Sequence, residues 1–407
     1  MNLRATRARP SPAATPPPAG RSAAPAAAAG HAPFGPTAAV LAATALLATS
    51  QLYGMIPLLG RAAPGWNTDP ASLTWLVSVF GFGYAAGFLL FGPLSDRLGR
   101  RRVMVGGVAA TAVTTALVAA APSPEIGIVL RVAQGVTIGA FPPVAMAYVG
   151  ERVAPHRRLT TVTAMTTGFL AAAVVGQLTA QGLAAAFGWR SFFLAGAVAF
   201  AAAAAVLARV LLPDGPSGGA SPRAAYRAMP RLLVTPGLWP LFLAVPVVLG
   251  PFVAIYTGLQ LTGTDGLLEL RASALPVILA IPFLTARLAR VPGPARAAAA
   301  LALSAASVAL VGLLEPGTLG LALLLMLVTA GTAVAAPGLI DIVVARAGAA
   351  RASAVSLHSA LLFAGASLGP QLAAALTGHG LRALGLVLAA LLAAGALLVA
   401  ASRRGPA

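Results

Sequence analysis

Two ionisable features stand out in a chain that has few of them. One is an aspartate set among arginines, in Gly92-Pro-Leu94-Ser-Asp96-Arg97-Leu-Gly99-Arg100-Arg101-Arg102, and the other is Arg131, alone inside a long apolar run. Asp96 can pair with its neighbours or cap a nearby helix N-terminus, because a carboxylate accepts charge-assisted hydrogen bonds and answers the positive end of a helix dipole. The plainer alternative is a basic loop that happens to hold one acid. Arg131 has to satisfy its charge away from water. It either faces a polar interior, which would make it functional, or it snorkels or pairs structurally with Glu125. Other polar side chains in the apolar runs are few: Gln51, Tyr53, Tyr84, Gln134, Tyr148, Gln177, Tyr256, His358 and Gln371. Singly, each is more often a packed, internally bonded residue than a ligand contact, and His358 could titrate near neutral pH although a lone histidine in a span is more often structural.

Catalytic chemistry finds no footing. His31, His156, His358 and His379 are scattered, no two carboxylates share a run, cysteine is absent, and no H-E-x-x-H, G-x-S-x-G or Walker-type loop occurs. The expectation is a protein that is not an enzyme and that needs no metal or cofactor. Energy, if used, must come from a gradient.

The elements that must position these side chains are membrane helices. The chain is 58% apolar and 9% charged, whereas a soluble domain carries about 25% charged residues. A bilayer core of about 30 Å requires about 20 apolar residues in a helix. Twelve such runs occur, at 36–59, 73–94, 103–121, 125–149, 159–186, 189–211, 237–261, 270–289, 297–314, 319–344, 352–376 and 381–402. The arginines check the count, since cytoplasmic loops hold the excess of basic residues. With the N-terminus inside, all 27 fall on cytoplasmic segments except Arg61, Arg190, Arg271 and Arg382, outside, and Arg131, within a span. The net charge of +18 therefore reports topology and not nucleic-acid binding.

Residues 1–35 form a Pro-, Ala- and Arg-rich stretch expected to be a disordered cytoplasmic tail. A transit peptide is the alternative, while a secretory signal is disfavoured by the length of the run that follows. A break at 213–236, expected as a cytoplasmic central loop, separates six helices at 36–212 from six at 237–402, and 403–407 forms a short cytoplasmic tail. Leu94, Arg97, Leu98 and Arg100 recur as Leu284, Arg287, Leu288 and Arg290, and Phe169, Gln177 and Leu178 recur as Phe363, Gln371 and Leu372. Repeated halves are a feature of secondary transporters.

The turn G-x-L-x-D-R-x-G-R-R between spans 2 and 3 resembles the signature loop of the major facilitator superfamily. Arg131-x-x-Gln134-Gly135-x-x-x-Gly139 resembles that superfamily's helix 4 motif with the second glycine displaced. Gly135 and Gly139 fit close helix packing equally well. Trp189-Arg190 and Phe363-x-Gly365-Ala-Ser367-Leu-Gly369-Pro370 resemble elements of its drug:proton antiporter branch, although helix 5 reads Gly176-Gln177-Leu178 without the proline of the antiporter motif. Ala286 stands where the second half would repeat the loop aspartate.

The resemblance implies an all-α integral membrane fold of twelve transmembrane helices, arranged as two six-helix bundles with a pseudo-two-fold repeat. It also implies that Gly92, Asp96, Arg97, Gly99, Arg100, Arg101 and Glu151 form a cytoplasmic gate that locks the two halves together. Asp341 either mirrors that part or is a helix-end charge five residues before Arg346. Gln51, Tyr53, Tyr84, Gln134, Gln177, Tyr256, His358 and Gln371 would line a central cavity, with Arg131 and Glu125 as coupling candidates. The expected function is alternating-access transport, as proton-coupled efflux of a small amphiphilic compound or, alternatively, uptake or facilitated diffusion of a metabolite. A receptor or scaffold without transport is the remote alternative. The expected partners are a small-molecule substrate, protons and the lipid bilayer, without nucleic acid, in a monomer of the bacterial cytoplasmic membrane.

Overall fold

No water is present in a bilayer core to complete backbone hydrogen bonds, so long apolar runs must close those bonds internally, as helices do. The computed structural model describes residues 30–214, 222–288 and 290–402, and no strand occurs among them. The tail expected at 1–35 lies almost wholly outside the described residues, as do 403–407 and residues 215–221 of the central break.

The first half comprises α1 (Phe34–Tyr53), α2 (Leu59–Ala62), α3 (Trp75–Leu98), α4 (Arg100–Ala119), α5 (Pro124–Ile138), α6 (Pro142–Arg152), α7 (Pro155–Phe187) and α8 (Arg190–Val210). The central break contains α9 (Pro222–Val234), so it is a helix over much of its length and not only a loop. The second half comprises α10 (Trp239–Ala244), α11 (Pro246–Leu261), α12 (Leu267–Ala272), α13 (Leu275–Leu288), α14 (Gly293–Leu314), α15 (Thr318–Arg346), α16 (Arg351–Leu376) and α17 (Gly380–Ala401). Prolines at first turns explain two of the breaks inside spans, since Pro142 opens α6 and Pro246 opens α11 with no N–H to donate.

Ten described segments are long and apolar enough to cross a membrane, and the last of them, Arg351–Ala401, holds both α16 and α17. Counting those two separately and adding α13, which has 14 residues, is consistent with the twelve expected spans. The eighth expected span departs most from its reading. It is split into α12 and α13, and the split carries Arg271 off the loop position expected for it.

The two halves pack by the same plan. α1 lies on α7 as α11 lies on α16, and α4 lies on α8 as α14 lies on α17. These contacts rest on small residues. The Cα of Gly87 is so near Gly139 that a Cβ there would sit 2.7 Å from the Gly139 Cα, and Gly135 presses in the same way on the backbone of Phe80 and Tyr84. Gly250 meets Gly365 and Gly369 in the second half, and Gly312 meets Gly385. The central helices are the most enclosed: 83% of the Trp239–Leu261 window is buried but only 33% of Arg190–Val210. Leu159, Val198, Leu319 and Leu397 point outward, largely exposed, as lipid-facing side chains do.

Because the α3–α5 contact has no room for a side chain, Gly87→Val should destabilise the first half by about 1–3 kcal/mol or more. Thermal unfolding of the purified protein measures this, and an unchanged midpoint would show that the two helices are free to separate.

Candidate functional site

The arginine-rich turn is built on Gly99, whose φ of +99° ends α3 and starts α4. A Cβ at Gly99 would also overlap the Asp214 carboxylate. Asp214 accepts from the backbone N–H of Arg101 at 2.8 Å and of Arg102 at 3.1 Å, so it caps α4. The cap is therefore Asp214, from the central break, and not Asp96. Asp96 instead pairs with Arg100, which also binds Glu151 at 2.9 Å, and Arg101 donates to the carbonyl of Ala208. Arg97 is exposed. These ion pairs tie α3, α4 and α6 together within the first half. At this turn the second half is met by Gly92, which lies against Ser356 of α16.

Asp341 binds Arg296 at 3.2 Å, not the nearby Arg346. That pair joins the end of α15 to the start of α14, just as Glu151 and Arg100 join the end of α6 to the start of α4. The two halves thus carry equivalent ion pairs on the same face. Both acids are more than half exposed, and exposed pairs contribute only about 0–1 kcal/mol, so their effect is on geometry more than on stability.

Arg131 is fully buried, and its contacts belong to the first half. It donates from Nε to Leu76 O at 2.9 Å, from Nη1 to Gln134 Oε1 at 2.7 Å and from Nη2 to Gln51 O at 2.9 Å. The guanidinium lies 4.2 Å from the Phe80 ring centroid. Gln134 in turn donates to Gln51 Oε1 and to Thr115 Oγ1. Glu125, exposed at the first turn of α5, is not among these partners, so the structural pairing with Glu125 is replaced by a neutral polar core that joins α1, α3, α4 and α5. Arg190, of the Trp189-Arg190 pair, closes the carbonyl end of α4 through Ala119 O and Ala121 O.

Among the described residues two seams join the halves. The first, between α3 and α16, runs the length of both helices: Gln371 donates to Thr74 Oγ1 and Ser78 Oγ, Gly81 receives Ser367, and Phe363 lies 4.5 Å from Tyr84 and 5.5 Å, stacked, from Phe88. Tyr84 lies beside Thr49. α9 covers the arginine-rich end of this seam, with Tyr226 donating to Leu90 O and Ser353 to Ala225 O.

The contacts of the second seam, between α7 and α12–α13, lie among the described residues on the opposite face. There Arg271, 1% exposed, donates to Gln177 Oε1 at 2.9 Å, Gln181 Oε1 at 2.9 Å and Gln260 Oε1. Val174 packs on Ala274 and Ile278 just below it. Tyr53 meets Phe252 edge-on at 6.2 Å, and Phe252 lies 5.2 Å from Tyr256, which is near Thr329. His358 is buried in α16 with neither ring nitrogen hydrogen-bonded among the described residues. The expected cavity set thus divides. Tyr53, Tyr84, Gln177, Tyr256 and Gln371 are on the seams, whereas Gln51 and Gln134 belong to the Arg131 core. Sequence reading missed Asp214, Gln181, Gln260 and the burial of Arg271. A signal was present for one pair, because Gln177 and Gln181 are four apart and share a helix face.

Residues 38–348 match the family model of the Major Facilitator Superfamily. The chain belongs to that superfamily. Over 155 residues it is 32% identical to a putative niacin/nicotinamide transporter of Bacillus subtilis, a match covering 37% of each chain. Over 233 residues it is 31% identical to a probable transporter of Streptomyces coelicolor, covering 56% of this chain and 53% of that one. These matches span from 37% to 53% of the relatives' length. A crystal structure of a peptide transporter in complex with sulfate has the same fold, with a TM-score of 0.71 at 17% identity over 90% of this chain and 94% of that one. As a Major Facilitator Superfamily member, the protein is a multi-pass membrane protein.

Arg131→Ala would leave the carbonyls of Leu76 and Gln51 and the amide of Gln134 without their donor in a buried site, at a cost of about 2–4 kcal/mol. The check is thermal unfolding alongside transport. A lowered midpoint fits the neutral core described here, whereas a wild-type midpoint with abolished transport would assign Arg131 to the transport cycle.

Proposed function

We propose that the protein exports a small amphiphilic compound across the bacterial cytoplasmic membrane by alternating access, in exchange for protons, with both termini in the cytoplasm. The observation that carries this reading is the inequality of the two seams. One runs the length of α3 and α16, while among the described residues the contacts of the other gather on one face, at the Arg271 cluster, so a rocking motion about the first can open and close the second there. An amphiphilic cargo fits a seam whose walls are aromatic and whose fixed charges are few. A gradient is the energy source that agrees with a sequence lacking any nucleotide-binding loop. Orientation rests on the arginines, which gather on the face of the Asp96 turn. The antiporter branch rests on Trp189-Arg190 and on the glycine-rich run of α16.

The second reading is uptake or facilitated diffusion of a metabolite, favoured by the niacin/nicotinamide transporter among the relatives. Transport by purified protein in liposomes separates the two. Proton-driven export predicts accumulation that follows an imposed pH gradient and stops when the gradient is collapsed. Flux indifferent to the gradient, with equal counterflow in both directions, would remove export and leave facilitated diffusion.

A further inference from the structure

We infer that Arg271 is the recognition group for a small monocarboxylate with an apolar body, and that the glutamines now holding it are the latch which that carboxylate displaces. The inference rests on the alternating-access reading and deepens it. Arg271 is a guanidinium buried among side chains, and three amide oxygens, from Gln177, Gln181 and Gln260, take its hydrogen bonds. None of its hydrogen bonds or ion pairs among the described residues goes to a carboxylate. The nearest acid in sequence, Glu269, is exposed and lies against Gly266. A buried charge met only by neutral dipoles is under-compensated, and an anion binds it more strongly than an amide does.

The partners are divided in a way that makes the site switchable. Gln177 and Gln181 are on α7 of the first half, whereas Gln260 is on α11 of the second, with Arg271 itself. Separation of the halves on this face therefore removes two acceptors together and leaves the planar fork of the guanidinium facing the opening. A single guanidinium balances one charge, and the neighbouring Val174, Ala274 and Ile278 offer nothing to a second, which favours a carboxylate over a doubly charged phosphate. Tyr256, within electrostatic reach of Arg271, begins an aromatic row that continues through Phe252 to Tyr53. That row gives an apolar body, above all a flat one, a surface to lie along.

The test is heat stabilisation of the purified full chain by benzoate and by octanoate, each compared with its amide. The wild type should bind the acids at least about tenfold more tightly than the amides, the worth of one charge-assisted contact. Arg271→Gln should erase that preference. The double variant Gln177→Leu, Gln181→Leu should raise affinity for the acids severalfold, because their competitor is gone. Equal binding of acid and amide to the wild type, or a preference that survives Arg271→Gln, overturns the inference. If Arg271→Gln fails to fold, the glutamine variant decides, and no gain in acid affinity there overturns it equally. Flux in liposomes separates this from the transport reading. Acids bound but not moved leave the site and remove the carrier, whereas solute flux without acid preference does the reverse.

Discussion

A guanidinium inside a membrane protein must be solvated by the protein itself, and two such groups organise this one. Neither Arg131 nor Arg271 has a carboxylate among its hydrogen bonds; both are held by amide and carbonyl oxygens. The helices that supply those oxygens have to stay in register with the arginine, since a lost acceptor leaves part of a charge bare in a medium that penalises it heavily. Around Arg131 all the acceptors come from one half, and the result is a fixed core. Around Arg271 they come from both halves, and the result is a joint. The same chemistry therefore gives rigidity in one place and a breakable contact in the other.

The small-residue contacts make that distinction mechanically useful. Gly87 against Gly139 and Gly250 against Gly365 leave no side-chain layer to shear within either half. In the proposed alternating access, motion is concentrated at the seams. The α3–α16 seam mixes aromatic stacking with the Gln371 hydrogen bonds along its whole length, and α9 straps its arginine-rich end. The α7–α12 seam has a patch of apolar contact and the Arg271 cluster. Of the two, the second has the fewer contacts among the described residues, and its polar ones are the two hydrogen bonds from Arg271 to Gln177 and Gln181.

The fold was legible in the sequence because the membrane imposes a one-dimensional rule. Apolar runs alternate with loops, and arginines mark every second loop, so a miscount would have reversed the later ones. Gly135 and Gly139 were readable as packing for a local reason, their spacing of four on one helix. Long-range partners were not readable. Asp341 has Arg346 close by in sequence, yet it binds Arg296, 45 positions away, because the repeat places that pair where Arg100 and Glu151 meet in the first half. Asp214 lies 113 positions from the backbone N–H that it accepts. Arg271 was misplaced by the very rule that fixed the topology: an arginine near a helix end reads as a loop residue, and only the break between α12 and α13 turns it inward to the glutamines of α7.

The central claim is that the Arg271 cluster closes one face and that its opening is the moving step. The absence of cysteine from the chain makes site-specific spin labelling direct, with one label at Ala185→Cys on α7 and one at Leu268→Cys on α12. The distance between them should show a short population that shrinks in favour of a longer one when Arg271→Gln is added. A single distribution that does not change with Arg271→Gln would contradict the claim.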